Sequence, residues 1–346
     1  MIARRFWPAL AAIFITANLS HAQLEDTCSV FRISPSFQDN TRPVGCIAGP
    51  VFGFTFDKAG GRLIPILGIA GSLRLDDPIE LGFGLEAVHF SDKQSFALGV
   101  SSGDRRVISL SFDERLINVR DAGLPSDPGK ISISSDGRYG AVLYPSLRQV
   151  FVVAQSPEPA IAWIADVSAA PDEITALAIS DDGRCLLVAT STGVVYSFAA
   201  DRAPESAAVL TTPDVVRFLK NSHDAVIADR AERKLYYYSE AAGQTWSFAS
   251  EAEGVSSPLD LAVSDDNERV FLLNEDSDRI ISFSLTMGQS ASVACNCVPR
   301  QLASLRERTV FAITNVADAS LLLFQPTEDG GQILFVPRQL KSDPAY

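Results

Sequence analysis

One pattern returns along this chain, and it constrains the fold more than any other feature. Its clearest copy is residues 176–199, ALAISDDGRCLLVATSTGVVYSFA. A short apolar strand leads into an Asp-Asp-Gly turn, a second apolar run over 185–189, a Thr-Ser-Thr-Gly turn and a third strand over 194–198. Asp suits such a turn because its carboxylate hydrogen-bonds its own backbone, and Gly because it accepts positive φ. Related units lie at 87–112 (FSDKQSFALGV), 130–154 (ISSDGRYGAVLY), 215–239 (FLKNSHDAVIA), 260–285 (VSDDNERVFLLN) and 302–326 (ASLRERTVFAIT). Their turns fall at Lys93, Gly137, Gly183, His223, Asn267 and Glu307, spaced 44, 46, 40, 44 and 40 residues apart. Such a period, carrying three or four short strands, is the signature of a β-propeller blade.

A fourth, outer strand follows each unit after a polar turn, as at 207–210 and 292–295. Residues 51–56 and 63–67 match the third and fourth strands of a unit and precede the first complete copy, so that pair occurs seven times and the first-plus-second pair six times. The expected fold is all-β, a β-propeller of four-stranded antiparallel blades. Seven blades are favoured over six plus a hairpin. Residues 23–49 would complete the ring, 50–338 would form the propeller and 339–346 a tail. Leu186, Leu187 and Val188 are consecutive, so neighbours must cover both faces of the sheet. Radial packing does this and leaves only short edges. Small residues in the first strands (Ala178, Ser180, Ser132, Ser134, Ala262, Ser264) suit crowding near an axis.

Residues 1–22 read as a cleaved signal peptide. Arg4 and Arg5 precede an apolar run over 6–19, and Ser20 and Ala22 occupy the small-residue cleavage positions. The expected localisation is therefore secreted or periplasmic, where disulfides form. No membrane span is expected in the mature chain. Losing both arginines takes the net charge from −13 to −15, which excludes a general nucleic-acid binder.

The motif A-h-S-x-D-G-r-x-h-h-V-A, with h apolar, is best seen at 178–189 and echoed at 131–143 and 262–273. It resembles the YVTN/WD40-like β-propeller repeats of bacterial secreted proteins. That superfamily includes lactonase-like hydrolases, surface-layer proteins and binding scaffolds, so the resemblance implies a fold without choosing an activity.

Catalytic signatures are scarce. His89 and His223 are the two histidines after the targeting segment and fall in different blades, which leaves few candidates for a multi-His metal site or a Ser-His-Asp triad. Asn274, Asp276 and Asp278 place oxygen side chains at alternate positions and resemble the start of a calcium loop. Arg279 stands where a Gly is needed and Leu285 where a bidentate Glu is needed. A hairpin turn with at most weak divalent-cation binding is expected, and no cofactor. Cys28 and Cys46 bracket an N-terminal loop that a disulfide would tie down. Cys185 reads as a buried free thiol, and a bond between Cys295 and Cys297 is expected to strain the backbone.

Function is expected where loops gather at the channel mouth. The longest connection, 68–84, carries Asp76, Asp77 and Glu80. Other loops on that face offer Asp104, Arg105, Asp127, Asp172, Asp214 and Asp276. An acidic mouth would attract cations or basic partners. The expected function is a binding or scaffold module with a protein or peptide partner there. A lactonase-like metal-assisted hydrolase is the alternative and a structural surface component the second. The balance leans away from an enzyme.

Overall fold

The computed structural model describes residues 29–30, 32–33, 46–47 and 50–337, save 114–115, 156–157, 307–309, 315, 317–320 and 329. The chain forms a seven-bladed β-propeller with almost no helix. Blade one spans 51–75, and the others span 85–121, 131–166, 174–209, 213–249, 258–294 and 303–336. Blade four shows the plan: Ile174–Ile179, Cys185–Thr190, Val194–Ala199 and Arg202–Val209, in that order from the inside outward.

The consecutive apolar residues do what the repeat requires. In Cys185–Thr190 every side chain is buried, and alternate residues face alternate neighbours. Leu186 and Val188 join the core shared with blade three. Cys185, Leu187 and Ala189 join the core shared with blade five. Among the described residues there are seven such apolar cores, one at each seam between adjacent blades. The seam between blades seven and one, with Phe52, Ile64 and Ile66 against Leu305, Leu321 and Leu323, closes the ring.

Blade one departs from the sequence reading. Its sheet holds Val51–Asp57, Arg62–Ile69 and Ser72–Leu75. The turn after Asp57 meets the start of blade two's first strand, where Leu85 N donates to Gly61 O at 2.9 Å. Val51–Asp57 therefore runs in the direction of a second strand. Residues 51–56 and 63–67 are the second and third strands, one place inward of the expected match. The fourth is Ser72–Leu75, inside what read as a long loop, so the true connection to blade two is 76–84. Gln94, from blade two's first hairpin, lies against the inner edge of Val51–Asp57. Its Oε1 accepts from Phe54 N at 2.7 Å, and its Nε2 donates to Phe54 O and to Ser304 O of blade seven, both at 3.0 Å. The amide thus offers Phe54 the donor and acceptor that a peptide in a neighbouring strand would.

Of the segment 23–49, Ser29–Val30 pairs antiparallel with Cys46–Ile47, and Arg32–Ile33 lies parallel to Leu116–Asp121 on the outer edge of blade two. The rest of that segment, the signal peptide, the tail 339–346 and the expected Cys28–Cys46 bridge lie outside the described residues.

Candidate functional site

The mouth face gathers the turns between second and third strands and the connections that enter each blade. Strand pairing places Arg105, Arg148, Gly193 and Arg233 alike, each at the end of the turn that leads from the second strand into the third, one or two residues before the first ladder position. All four are left-handed, with φ of 52°, 54°, 93° and 54°. Gly takes that conformation freely, whereas for Arg it costs roughly 1 kcal/mol or more. Three arginines thus sit where the turn favours glycine.

Of the three, Arg105 meets a carboxylate singled out in the sequence, whereas Arg148 donates to the Ala170 carbonyl and Arg233 pairs with Glu251. Arg105 pairs with Glu86 of its own blade and with Asp127 of blade three, the latter at 2.9 Å. Arg106 pairs with Asp104 and, at 2.8 Å, with Asp121. Hydrogen bonds from Ser101 and Arg106 hold the Asp104 carboxyl down to about 2. Arg230 binds Asp214 of its own blade and Glu275 of blade six, with Nη1 2.7 Å from Glu275 Oε2. Asp172 accepts from Thr192 and Asp276 from Ser256. On the connection 76–84, Asp76 is half-buried while Asp77 and Glu80 are exposed. The structure joins Asp127 to Arg105 and Asp214 to Arg230, with Asp104 on the turn of Arg105 and Asp276 next to Glu275, while Asp172 and the connection 76–84 stand apart from both bridges. The mouth is a ring of mixed charge, with arginine offsetting much of the acid.

The bore below carries groups that the sequence reading did not assign to a site. His89 lies on blade two's first strand, Leu85–Phe90. A water molecule can reach its ring, yet protein encloses it, as befits a side chain on the channel wall. That enclosure, helped by the nearby Arg217 charge, lowers its pKa to about 4. Arg217, on blade five's first strand, donates to Asp260 Oδ1 at 3.0 Å and to Leu261 O at 3.1 Å, both on blade six. His223 is elsewhere: it meets Asp182 at 3.0 Å and Glu240 at 3.4 Å near the opposite face. The two histidines have different partners.

At the end away from the mouth, the first hairpins form a hydrogen-bonded collar. Asp181 Oδ1 accepts from Asp136 N of blade three and Oδ2 from Asn221 N of blade five. Asn267 of blade six both accepts from Lys220 N and donates to Lys220 O. Lys220 is mostly buried, with its Nζ on Asp265 of blade six and 3.0 Å from Asp92 of blade two. Blades two and five are as far apart as a seven-membered ring allows, so this side chain crosses the axis. Burial works against its charge, but Asp92 and Asp265 outweigh that and raise its pKa.

Within the calcium-like string, Asn274 is engaged in holding backbone. It is buried, accepting from Ser256 N and donating to Gly254 O, and so anchors the connection entering blade six. Among the described residues, no three His, Cys, Asp or Glu side chains converge as a metal would require. A cleft of about 250 Å³ with mixed polar and apolar walls lies beside that turn, lined by Glu253, Asn274, Arg279, Ile281 and Ser292 among others.

Cys185 is a buried free thiol, as expected, and burial raises its pKa. Cys295 and Cys297, by contrast, are bonded, with Cα atoms 5.1 Å apart. The backbone distortion expected of such a bond falls on Asn296, a non-glycine residue with a left-handed φ of 50°. A loop this short removes little entropy from the unfolded chain, on the order of 1.5 kcal/mol.

No protein-family model matches the chain, and no curated protein matches it. Many solved structures share its fold, two of them as follows. One is a functionally unknown protein from Desulfotomaculum acetoxidans, 14% identical, covering 84% of this chain and 100% of that one, with a TM-score of 0.58. The other is the Cps50 (Swd1) β-propeller domain of Myceliophteria thermophila, 12% identical, covering 81% and 98%, with a TM-score of 0.53. At such identities the likeness speaks for the fold alone.

Proposed function

We propose that this β-propeller is an exported binding module whose mouth face takes a protein or peptide partner carrying both acidic and basic side chains. The observation that carries the reading is the pair of arginine bridges between blades, Glu86–Arg105–Asp127 and Asp214–Arg230–Glu275. Their members range from 23% to 74% side-chain exposure. Exposed ion pairs contribute only about 0–1 kcal/mol each, so a partner's charges can replace them at little cost. Glu86 and Asp127 hold the Arg105 guanidinium between them, and a side chain already placed loses less ordering entropy on binding.

The test is affinity capture from an envelope extract with the purified propeller, beside an Arg105→Glu/Arg230→Glu variant of equal thermal stability. A partner held by the parent and lost by the variant supports the reading. A partner held equally by both places the binding surface elsewhere, and no partner in either overturns the module itself. N-terminal sequencing of the exported chain tests the compartment, with Gln23 as the expected first residue.

A further inference from the structure

We propose that the Cys295–Cys297 disulfide is an exchange site for a dithiol reductant, independent of any partner at the mouth. Three observations place it. The bond spans only Asn296, and the backbone beside it is held without it, since Cys295 N donates to Asp278 O at 2.7 Å. The two cysteines differ in exposure, although Cys297 also packs against the edge of the cluster that holds Cys295. Cys295 is 6% exposed and sits in the apolar seam with Leu302, Phe311 and Phe324, whereas Cys297 is only partly buried, between exposed Asn296 and Val298. The segment then leads to Leu302, whose N–H donates to Asp260 Oδ2 at 2.8 Å, the carboxylate that also binds Arg217 in the bore.

The chemistry follows from this asymmetry. A thiolate of the dithiol attacks Cys297 Sγ, the reachable sulfur. The protein S–S bond breaks, and Cys295 leaves as a thiolate that takes up a proton. The dithiol's second thiol gives up its proton and attacks its own sulfur in the mixed disulfide. That releases Cys297 as a thiolate, which is protonated in turn, and closes the dithiol as a disulfide. Two electrons pass from the dithiol to the protein. Exposed disulfides exchange more readily than buried staples, and a short loop leaves the fold little to lose on reduction.

The test treats the exported chain with dithiothreitol under native conditions, followed by iodoacetamide labelling and peptide mapping. Cys295 and Cys297 should become labelled at least about tenfold faster than the chain unfolds, with Cys185 unlabelled and circular dichroism unchanged. Cys295→Ser should form a mixed disulfide with oxidised glutathione at Cys297, while Cys297→Ser should not react at Cys295. Reduction only at the unfolding rate, or a mixed disulfide on Cys295, overturns the proposal. Should either variant fail to fold, mapping the mixed disulfide formed by reduced glutathione on the parent protein decides between the two sulfurs.

Discussion

Replacing Gln94 with alanine tests how the ring closes beside blade one. The side chain is fully buried and makes three hydrogen bonds, two to Phe54 and one to Ser304. At about 1 kcal/mol net for each, Gln94→Ala should cost roughly 3 kcal/mol. That is a large share of the ~5–15 kcal/mol that holds a typical protein folded. Gln94 is also left-handed, with φ of 47°. Glycine relieves roughly 1 kcal/mol of that conformation. Gln94→Gly should therefore cost only about 2 kcal/mol, although it deletes more atoms. Gln94→Glu keeps the acceptor but turns a carboxylate oxygen toward two carbonyls, and should be at least as damaging as alanine. Urea titration of the parent and the three variants, compared at equal m-value, reads these differences. If alanine falls within about 0.5 kcal/mol of the parent, as an ordinary surface change would, or if glycine proves worse than alanine, the clamp does not hold the ring.

Other expectations are independent of that one. The imidazole of His89 should titrate near pH 4 by NMR. Because its folded pKa is depressed, the unfolded chain binds the extra proton first, so stability should fall as pH drops from about 6.5 toward 4. His89→Gln should flatten that window, and an imidazole titrating near 6.5 would show the bore open to bulk water. Lys220 has a raised pKa, so its contribution is complete below about pH 10.4 and is lost as pH rises through the higher folded value. Lys220→Met should remove that alkaline loss and lower neutral-pH stability by about 1–3 kcal/mol, checked by thermal unfolding at pH 7 and pH 11. Gly183→Ala places a Cβ 2.4 Å from the Tyr139 ring at a φ of 68°, and should cost about 2 kcal/mol or more. It should also shift the fluorescence of Trp163, whose Nε1 donates to Gly183 O at 2.7 Å; an unchanged spectrum and stability would refute that contact.

The ring itself was legible because each repeat states its own strands and turns, and because Leu186 to Val188 demand neighbours on both faces. Blade one was misplaced by a strand because Ser72–Leu75 is only four residues long, with exposed Ser72 and half-buried Arg74, and shows no apolar run. The carboxylates of the mouth could be named, but their neutralisation could not. Arg105 reaches Asp127 across a blade boundary, and a left-handed arginine carries no mark in the sequence as glycine does. His89 and Arg217 come together only because the chain returns to the axis three blades later. The Cys295–Cys297 bond depended on the backbone of one asparagine, which composition does not specify.

Lys220 gives the molecule a polarity that its near-symmetric outline conceals. Reaching from blade five to Asp92 of blade two while also holding Asp265 of blade six, one ammonium ties three blades together at the end away from the mouth. At the mouth, by contrast, Arg105 and Arg230 tie only neighbours. The two ends of the ring are therefore fastened differently, and loosening either should leave the other fastened.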